Sequence, residues 1–161
     1  MVTVQDVEIL LVEDSPQDAK LTMLALRQQN LSNAIHWARD GEEALDFLFC
    51  KGAFAERHIE RPPRLVLLDL KLPKVDGIEV LRVVKGDERT RAIPIVILTS
   101  SREEKDLVES YRWGTNAYIQ KPVAFGDFCN AVKQIGLFWL LVNQSPPAES
   151  FNAQNPQGEG S

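Results

Sequence analysis

Five short apolar runs alternate with amphipathic stretches along this chain. "VEILLV" (7–12), "NAIHWA" (33–38), "LVLLD" (65–69), "IVILT" (95–99) and "AYIQ" (117–120) read as strands, most of them buried on both faces. The stretches between them carry helical spacing and helix-start signals. "SPQDAKLTMLALRQQ" offers Ser15 as N-cap, Pro16 at the first helical position and Asp18 at the capping-box position, with Leu21, Leu24 and Ala25 as its apolar face. "DGEEALDFLF" starts on Asp40 with Glu43 three residues on, and a third helix is predicted from about Asp76 to Lys85. "SREEKDLVESYRWG" has Ser101 as cap, Glu104 as box partner and Gly114 as terminator. A last helix covers 124–142, weakly capped by Ala124. The order βαβαβαβαβα predicts an α/β fold: a doubly wound, five-stranded parallel sheet with helices on both faces.

Two stretches break this rhythm. Residues 50–64 form a polar connection ending in Pro62-Pro63, long for an α/β loop. Residues 143–161 are dominated by Pro, Gly, Ser, Asn and Gln and are expected to be a disordered tail, leaving 1–142 as one domain. In the last helix, Phe125, Phe128, Val132, Ile135 and Trp139 have the spacing of a core stripe. Leu137, Phe138, Leu140, Leu141 and Val142 are apolar too, so "GLFWLLV" is hydrophobic nearly all round. An ending of that kind leaves apolar area exposed in a monomer, unless the tail or the 50–64 connection covers it.

Composition narrows the function classes. The net charge of −5 and the absence of a basic stretch argue against direct nucleic-acid binding. Cys50 and Cys129 lack metal-ligand spacing and read as reduced, buried thiols of a cytoplasmic protein. The N-terminus has no signal-peptide pattern, and no apolar run approaches the ~20 residues of a membrane span.

The unusual residues sit where strands end. β-run one ends in Glu13-Asp14, run three in Asp69 and run four in Thr99, and run five is followed by Lys121-Pro122. Singly, each has an ordinary reading: acids before a helix favour its dipole, Asp suits turns, Lys suits surfaces. Together they place polar groups on the one rim where parallel sheets bind ligands, provided runs one, three and four are neighbours. Three clustered carboxylates repel one another and call for a cation; an all-oxygen set suits Mg²⁺, or Mn²⁺. A carboxylate beside that ion and a Lys ammonium can act as nucleophile toward a phosphoryl group, with a Thr hydroxyl donating to a phosphoryl oxygen.

With these residues assembled, the chain resembles the receiver domains of two-component response regulators, the CheY-like family with its flavodoxin-like (βα)5 fold. The motifs are "EDSP", "LLDLKLPKVDG", "LTSS" and "AYIQKP". The resemblance implies that Asp69 is the phosphoacceptor, and that Glu13, Asp14, Asp69 and the backbone carbonyl of Lys71 bind the metal. It implies that Thr99 and Lys121 contact the phosphoryl group, that Thr99 and Tyr118 form the switch, and that the bond before Pro122 is cis. Lys71 departs from the small polar residue often found two positions after the acceptor. "FCKGAFAERHIERPPR", "IPIVILTSS" and "FWLLV" further resemble the single-domain regulators paired with cyanobacterial phytochromes. That likeness implies a phytochrome-like histidine kinase as donor and a homodimer through the fourth helix, fifth strand and last helix. Residues 143–161 are too few for a DNA-binding domain, so output is expected through a downstream protein partner.

Three other readings compete. A haloacid-dehalogenase-type phosphatase also uses a strand-end Asp with Mg²⁺, but its second Asp is replaced here by Lys71. A flavin-binding electron carrier shares the topology, but "EDSPQD" would repel the flavin phosphate. The third is a receiver-like scaffold that is never phosphorylated.

Overall fold

A run of four consecutive apolar residues has no polar face to turn to solvent, so it must lie between layers; the runs at 9–12, 65–68 and 95–98 are buried throughout. The computed structural model describes residues 7–27, 34–100, 117–137 and 139–142, with the side chains of Trp139 and Val142 outside that description. Five strands, β1 (Ile9–Val12), β2 (Ile35–Ala38), β3 (Leu65–Asp69), β4 (Ile95–Thr99) and β5 (Ala117–Gln120), form one parallel sheet in the order β2-β1-β3-β4-β5. The helices are α1 (Pro16–Arg27), α2 (Gly41–Phe49), α3 (Gly77–Gly86), α4 (Phe125–Gln134) and a single turn, α5 (Trp139–Val142). The helix expected over 101–114 and the tail over 143–161 lie outside the described residues. Among the described residues no helix is long and apolar enough to cross a membrane.

Alternation along the strands builds two cores. Leu10, Val12, Val66, Leu68, Ile95 and Ile97 pack with Phe47, Val80, Leu81 and Val84 of α2 and α3. Ile9, Leu11, Leu65, Leu67, Val96 and Leu98 pack with Ala19 and Leu26 of α1 and with Phe128 and Val132 of α4. Each of these strands therefore sends alternate side chains into opposite layers.

The local signals at helix starts are used with differences. Asp40 accepts the Glu43 N–H at 2.7 Å, and Asp76 accepts the Glu79 N–H at 2.9 Å. Ser15 accepts the Asp18 N–H at 3.1 Å, but the Asp18 carboxylate does not close the box; the Ser15 N–H donates instead to Glu13 Oε2 at 3.2 Å. Ala124 starts α4 with no side-chain cap.

Two apolar faces differ from expectation. On α1 the buried residues are Ala19, Thr22 and Leu26, while Leu21 and Leu24 are exposed. With Ala19, Thr22 and Leu26 forming the buried stripe, helical spacing turns Leu21 and Leu24 away from the core. At the C-terminus the helix expected through 142 stops at Gln134. Gly136 adopts φ +79, its N–H bonds the Lys133 carbonyl, and the Leu137 N–H returns to the Val132 carbonyl, the closing pattern of a glycine-terminated helix. The break re-phases the next residues, so Leu140 is fully buried in the α1–α4 core rather than on a surface. Leu137 and Leu141 are half-buried against that core, and Phe138 lies outside the described residues.

The 50–64 connection is more than a polar loop. After a short 3-10 turn (Gly52–Phe54), the buried Arg57 guanidinium lies 3.8 Å from the Phe47 ring centre and donates to the Phe47 and Arg61 carbonyls. His36 stacks on Phe47 at 4.7 Å between ring centroids. The connection is thereby folded onto α2 and β2. Cys50 and Cys129 carry free thiols and are partly exposed rather than buried.

Candidate functional site

The strand order sets the chemistry. β1 and β3 are neighbours and β4 follows, so the residues at their carboxyl ends meet on one rim. Glu13, Asp69 and Lys121 continue the alternation of Ile9/Leu11, Leu65/Leu67 and Ala117/Ile119, which places all three toward the α1–α4 layer. Behind Asp69, Gly77 leaves no room for a side chain: a Cβ there would lie 2.3 Å from the Asp69 carbonyl oxygen. The Asp76-Gly77 turn thus lets α3 start hard against the end of β3, closed by the Gly77 N–H on the Leu70 carbonyl at 2.9 Å.

Lys121 is the hub. Its ammonium donates to Asp69 Oδ2 at 2.9 Å, to Glu13 Oε1 at 3.2 Å and to Asp18 Oδ2 at 3.4 Å. Its own N–H is held by the Thr99 carbonyl at 2.8 Å, and the Lys121–Pro122 bond is cis. The Lys71 N–H donates to the other Asp69 oxygen at 3.2 Å. Glu13 and Asp69 are almost wholly enclosed, with side chains 1% and 4% exposed, whereas Asp14 is exposed at the rim. Thr99 is buried on the face of Ile95 and Ile97, and Tyr118 is half-buried against that same α2–α3 core.

Two residues at this site carry no motif. Asp18 reads as a capping residue in sequence yet sends its carboxylate to Lys121. Trp37 reads as strand filling yet donates its indole N–H to the Glu13 carbonyl at 2.7 Å. The spacing of Ser15 and Asp18 hints at neither, because both partners come from distant segments.

The donor set fits a hard divalent cation. Glu13, Asp14 and Asp69 each offer one carboxylate oxygen, and these lie within 4.8 Å of one another. An open cleft of about 390 Å³, bordered by Asp14, Lys71 and Asp76, adjoins them. Burial, then the hydrogen bond and charge of Asp69, push the Glu13 carboxyl up to about 7 from its ordinary 4.5. Burial works against the Lys121 charge, but its bonds to Asp69 and Glu13 prevail and hold its pKa above the ordinary value.

The Glu13 shift has a signed consequence. A raised folded-state pKa contributes stability that is fully present below the unfolded value of 4.5 and is lost as pH rises through about 7. A cation that binds the carboxylate opposes this loss. The rise in unfolding temperature on adding Mg²⁺ is therefore expected to be larger at about pH 8 than at about pH 5.5, and Glu13→Gln should flatten that difference. An equal Mg²⁺ shift at both pH values in the parent would refute the assignment.

Comparison with known proteins agrees with this geometry. Residues 9–133 match the family described as response regulator receiver domain. The solved structure of the bacteriophytochrome response regulator AtBRR is 55% identical, with TM-score 0.78, over 81% of this chain and 93% of that one. The "Probable methanogenesis regulatory protein FilR2" of Methanothrix harundinacea is 46% identical over 86% of each chain. Response regulator Rcp1 of Synechocystis sp. is 38% identical over 87% of this chain and 93% of its own length. An Mn²⁺-bound structure of Rcp1 is 39% identical with TM-score 0.65, over 82% of this chain and 93% of that one. The sheet order, the acidic rim and these matches lead to one conclusion: the chain belongs to the response regulator receiver domain family of two-component signalling proteins.

Proposed function

We propose that this protein accepts a phosphoryl group onto Asp69 from a phytochrome-type histidine kinase in the cytoplasm and passes the signal to a protein partner rather than to DNA or a membrane. The observation that carries the reading is Lys121, whose one ammonium bonds both Asp69 and Glu13. Glu13, Asp14 and Asp69 would hold Mg²⁺ or Mn²⁺, with the Lys71 carbonyl as a backbone ligand; when bound, the ion supplies neutralising charge to the phosphoryl oxygens. An Asp69 oxygen attacks phosphorus as the bond to the donor breaks, and the donor leaves with that electron pair. Lys121 offsets the charge on the transferred group, and the Thr99 hydroxyl donates to one of its oxygens. Drawing Thr99 toward the phosphoryl group frees space for the Tyr118 ring, a two-state element on the α2–α3 side of the sheet.

Two likenesses support the donor class: AtBRR is a bacteriophytochrome response regulator, and a phosphorylated RcpA structure described as a cyanobacterial phytochrome response regulator is 39% identical. FilR2 carries a methanogenesis name at 46% identity, so the donor is decided by transfer rather than by likeness. The basic test is one added phosphoryl mass after treatment with acetyl phosphate and Mg²⁺. Labelling that persists undiminished in EDTA would sink the reading. Phosphorylated phytochrome-type kinase should then transfer at least about tenfold faster than an unrelated kinase.

The same reading includes a homodimer through the predicted 101–114 helix, β5 and the C-terminal apolar segment. Leu140 leaves that surface because it is core, and the proposal keeps Leu137, Phe138, Leu141 and Val142 from the sequence reading. Charged residues at Phe138 and Leu141 are expected to yield monomers that still take phosphoryl at Asp69. Sedimentation velocity decides: a parent that stays monomeric with and without phosphorylation, or a variant that stays dimeric, refutes the dimer.

A further inference from the structure

We propose that Trp37 is a positioning residue for the divalent-cation site, acting through the peptide that joins Glu13 to Asp14. The inference rests on the reading of those two acids as metal ligands. β2 is an edge strand, and its register sets Leu11 beside Trp37 and Val12 beside Ala38. Beyond the paired residues, Glu13 remains tied to β2 at both ends of its backbone. Its N–H donates to the Ala38 carbonyl at 3.0 Å, and its carbonyl accepts the Trp37 indole N–H at 2.7 Å. The second tie takes the place of a ladder bond that a strand ending at Ala38 does not supply.

That carbonyl belongs to the Glu13–Asp14 peptide, which is planar and rigid. Holding its oxygen sets the plane of the unit and the direction in which Asp14 leaves it. The two acids need this differently. Glu13 is enclosed, and its carboxylate is already held by Lys121 and the Ser15 N–H. Asp14 is exposed, so its placement depends on the backbone that carries it. Trp37 is itself braced: it packs against the α1–α4 core, and the Arg39 guanidinium lies 5.0 Å from the indole ring centre. Indole is a donor with no acceptor, so its N–H has one use at this place, and phenylalanine would fill most of the same space without it. The Trp37 N–H bonds main chain rather than a carboxylate, so the proposed effect is on the direction in which Asp14 leaves the peptide, not on the charge of a ligand.

The test replaces the N–H and little else. Benzothienylalanine at position 37 keeps the two-ring shape with sulfur in place of N–H; Trp37→Phe is a second variant, and 5-fluorotryptophan keeps the donor. Mg²⁺ affinity of the unphosphorylated full chain is measured by calorimetry. Benzothienylalanine and phenylalanine should weaken Mg²⁺ binding about 3- to 10-fold, the scale of one lost hydrogen bond, and 5-fluorotryptophan should restore the parent value. A benzothienylalanine protein that melts earlier but binds Mg²⁺ as the parent does has a merely structural Trp37, which overturns the inference while leaving the metal site standing. A parent that binds no Mg²⁺, or binds it equally well as Asp14→Asn, overturns the metal-site reading and this inference with it.

Discussion

Replacing Asp69 with asparagine is expected to abolish labelling by acetyl phosphate, a loss of at least about 1,000-fold, the scale on which enzymes lose rate when a covalent nucleophile is removed. The expectation singles out one of three carboxylates in a single cluster. Burial and the neighbouring Asp69 raise the Glu13 carboxyl to about 7, so its charged form is disfavoured and it is the poorer nucleophile. Asp14 is reachable but stands at the exposed rim, and the cluster's ammonium contacts are to Glu13, Asp18 and Asp69. Asp69 is set apart by the way its carboxylate is held. One oxygen is held by Lys121 and the other by the Lys71 N–H, so the carboxylate is oriented before a donor arrives. Asparagine keeps the shape and one carbonyl oxygen but removes the charge and the nucleophile. Intact-mass measurement reads the result, and a labelled Asp69→Asn protein would move the acceptor to another residue.

Lys121→Met is expected to destabilise the metal-free protein by about 3 kcal/mol near pH 8, because removing one partner leaves buried charge uncompensated. Methionine preserves much of the side-chain stem, so the loss reports the ammonium rather than packing. Two enclosed carboxylates then face each other without a cation. They can escape by taking up a proton, so the deficit should shrink as pH falls through about 7, the value to which burial and Asp69 raise the Glu13 carboxyl. Saturating Mg²⁺ should recover much of the loss, since it replaces the missing positive charge. Urea unfolding of parent and variant, with Mg²⁺ and with EDTA, measures each part. Equal stabilities in EDTA at about pH 8 would mean that Lys121 does not hold this cluster together.

What the sequence determined by itself is the layering and which polar residues stand at the strand ends. Runs such as Leu65–Asp69 and Ile95–Thr99 match the observed strands to the residue, because a run with no polar face is stable only inside a sheet covered on both sides. Asp40 and Asp76 start their helices as expected, since capping is satisfied within four residues. Glu13, Asp14, Asp69, Thr99 and Lys121 were legible as a set because each stands at a strand's carboxyl end, and a parallel sheet brings those ends to one edge.

Tertiary structure alone decided the rest, where the partner is far along the chain. Lys121 and Glu13 are separated by 108 positions, so Asp18, which a local reading assigns to a cap, turns to the ammonium once the sheet brings it near. Trp37 finds the Glu13 carbonyl only because β2 lies beside β1. Arg57 is an ordinary loop cation until the connection folds back and sets it on Phe47. At the C-terminus a periodic apolar pattern read straight through Gly136, although the chain stops its helix there and re-phases Leu140 into the core. Periodicity reports which residues avoid water, but a single backbone break changes which of them share a face. That choice is made by the packing partner, which no local window of sequence contains.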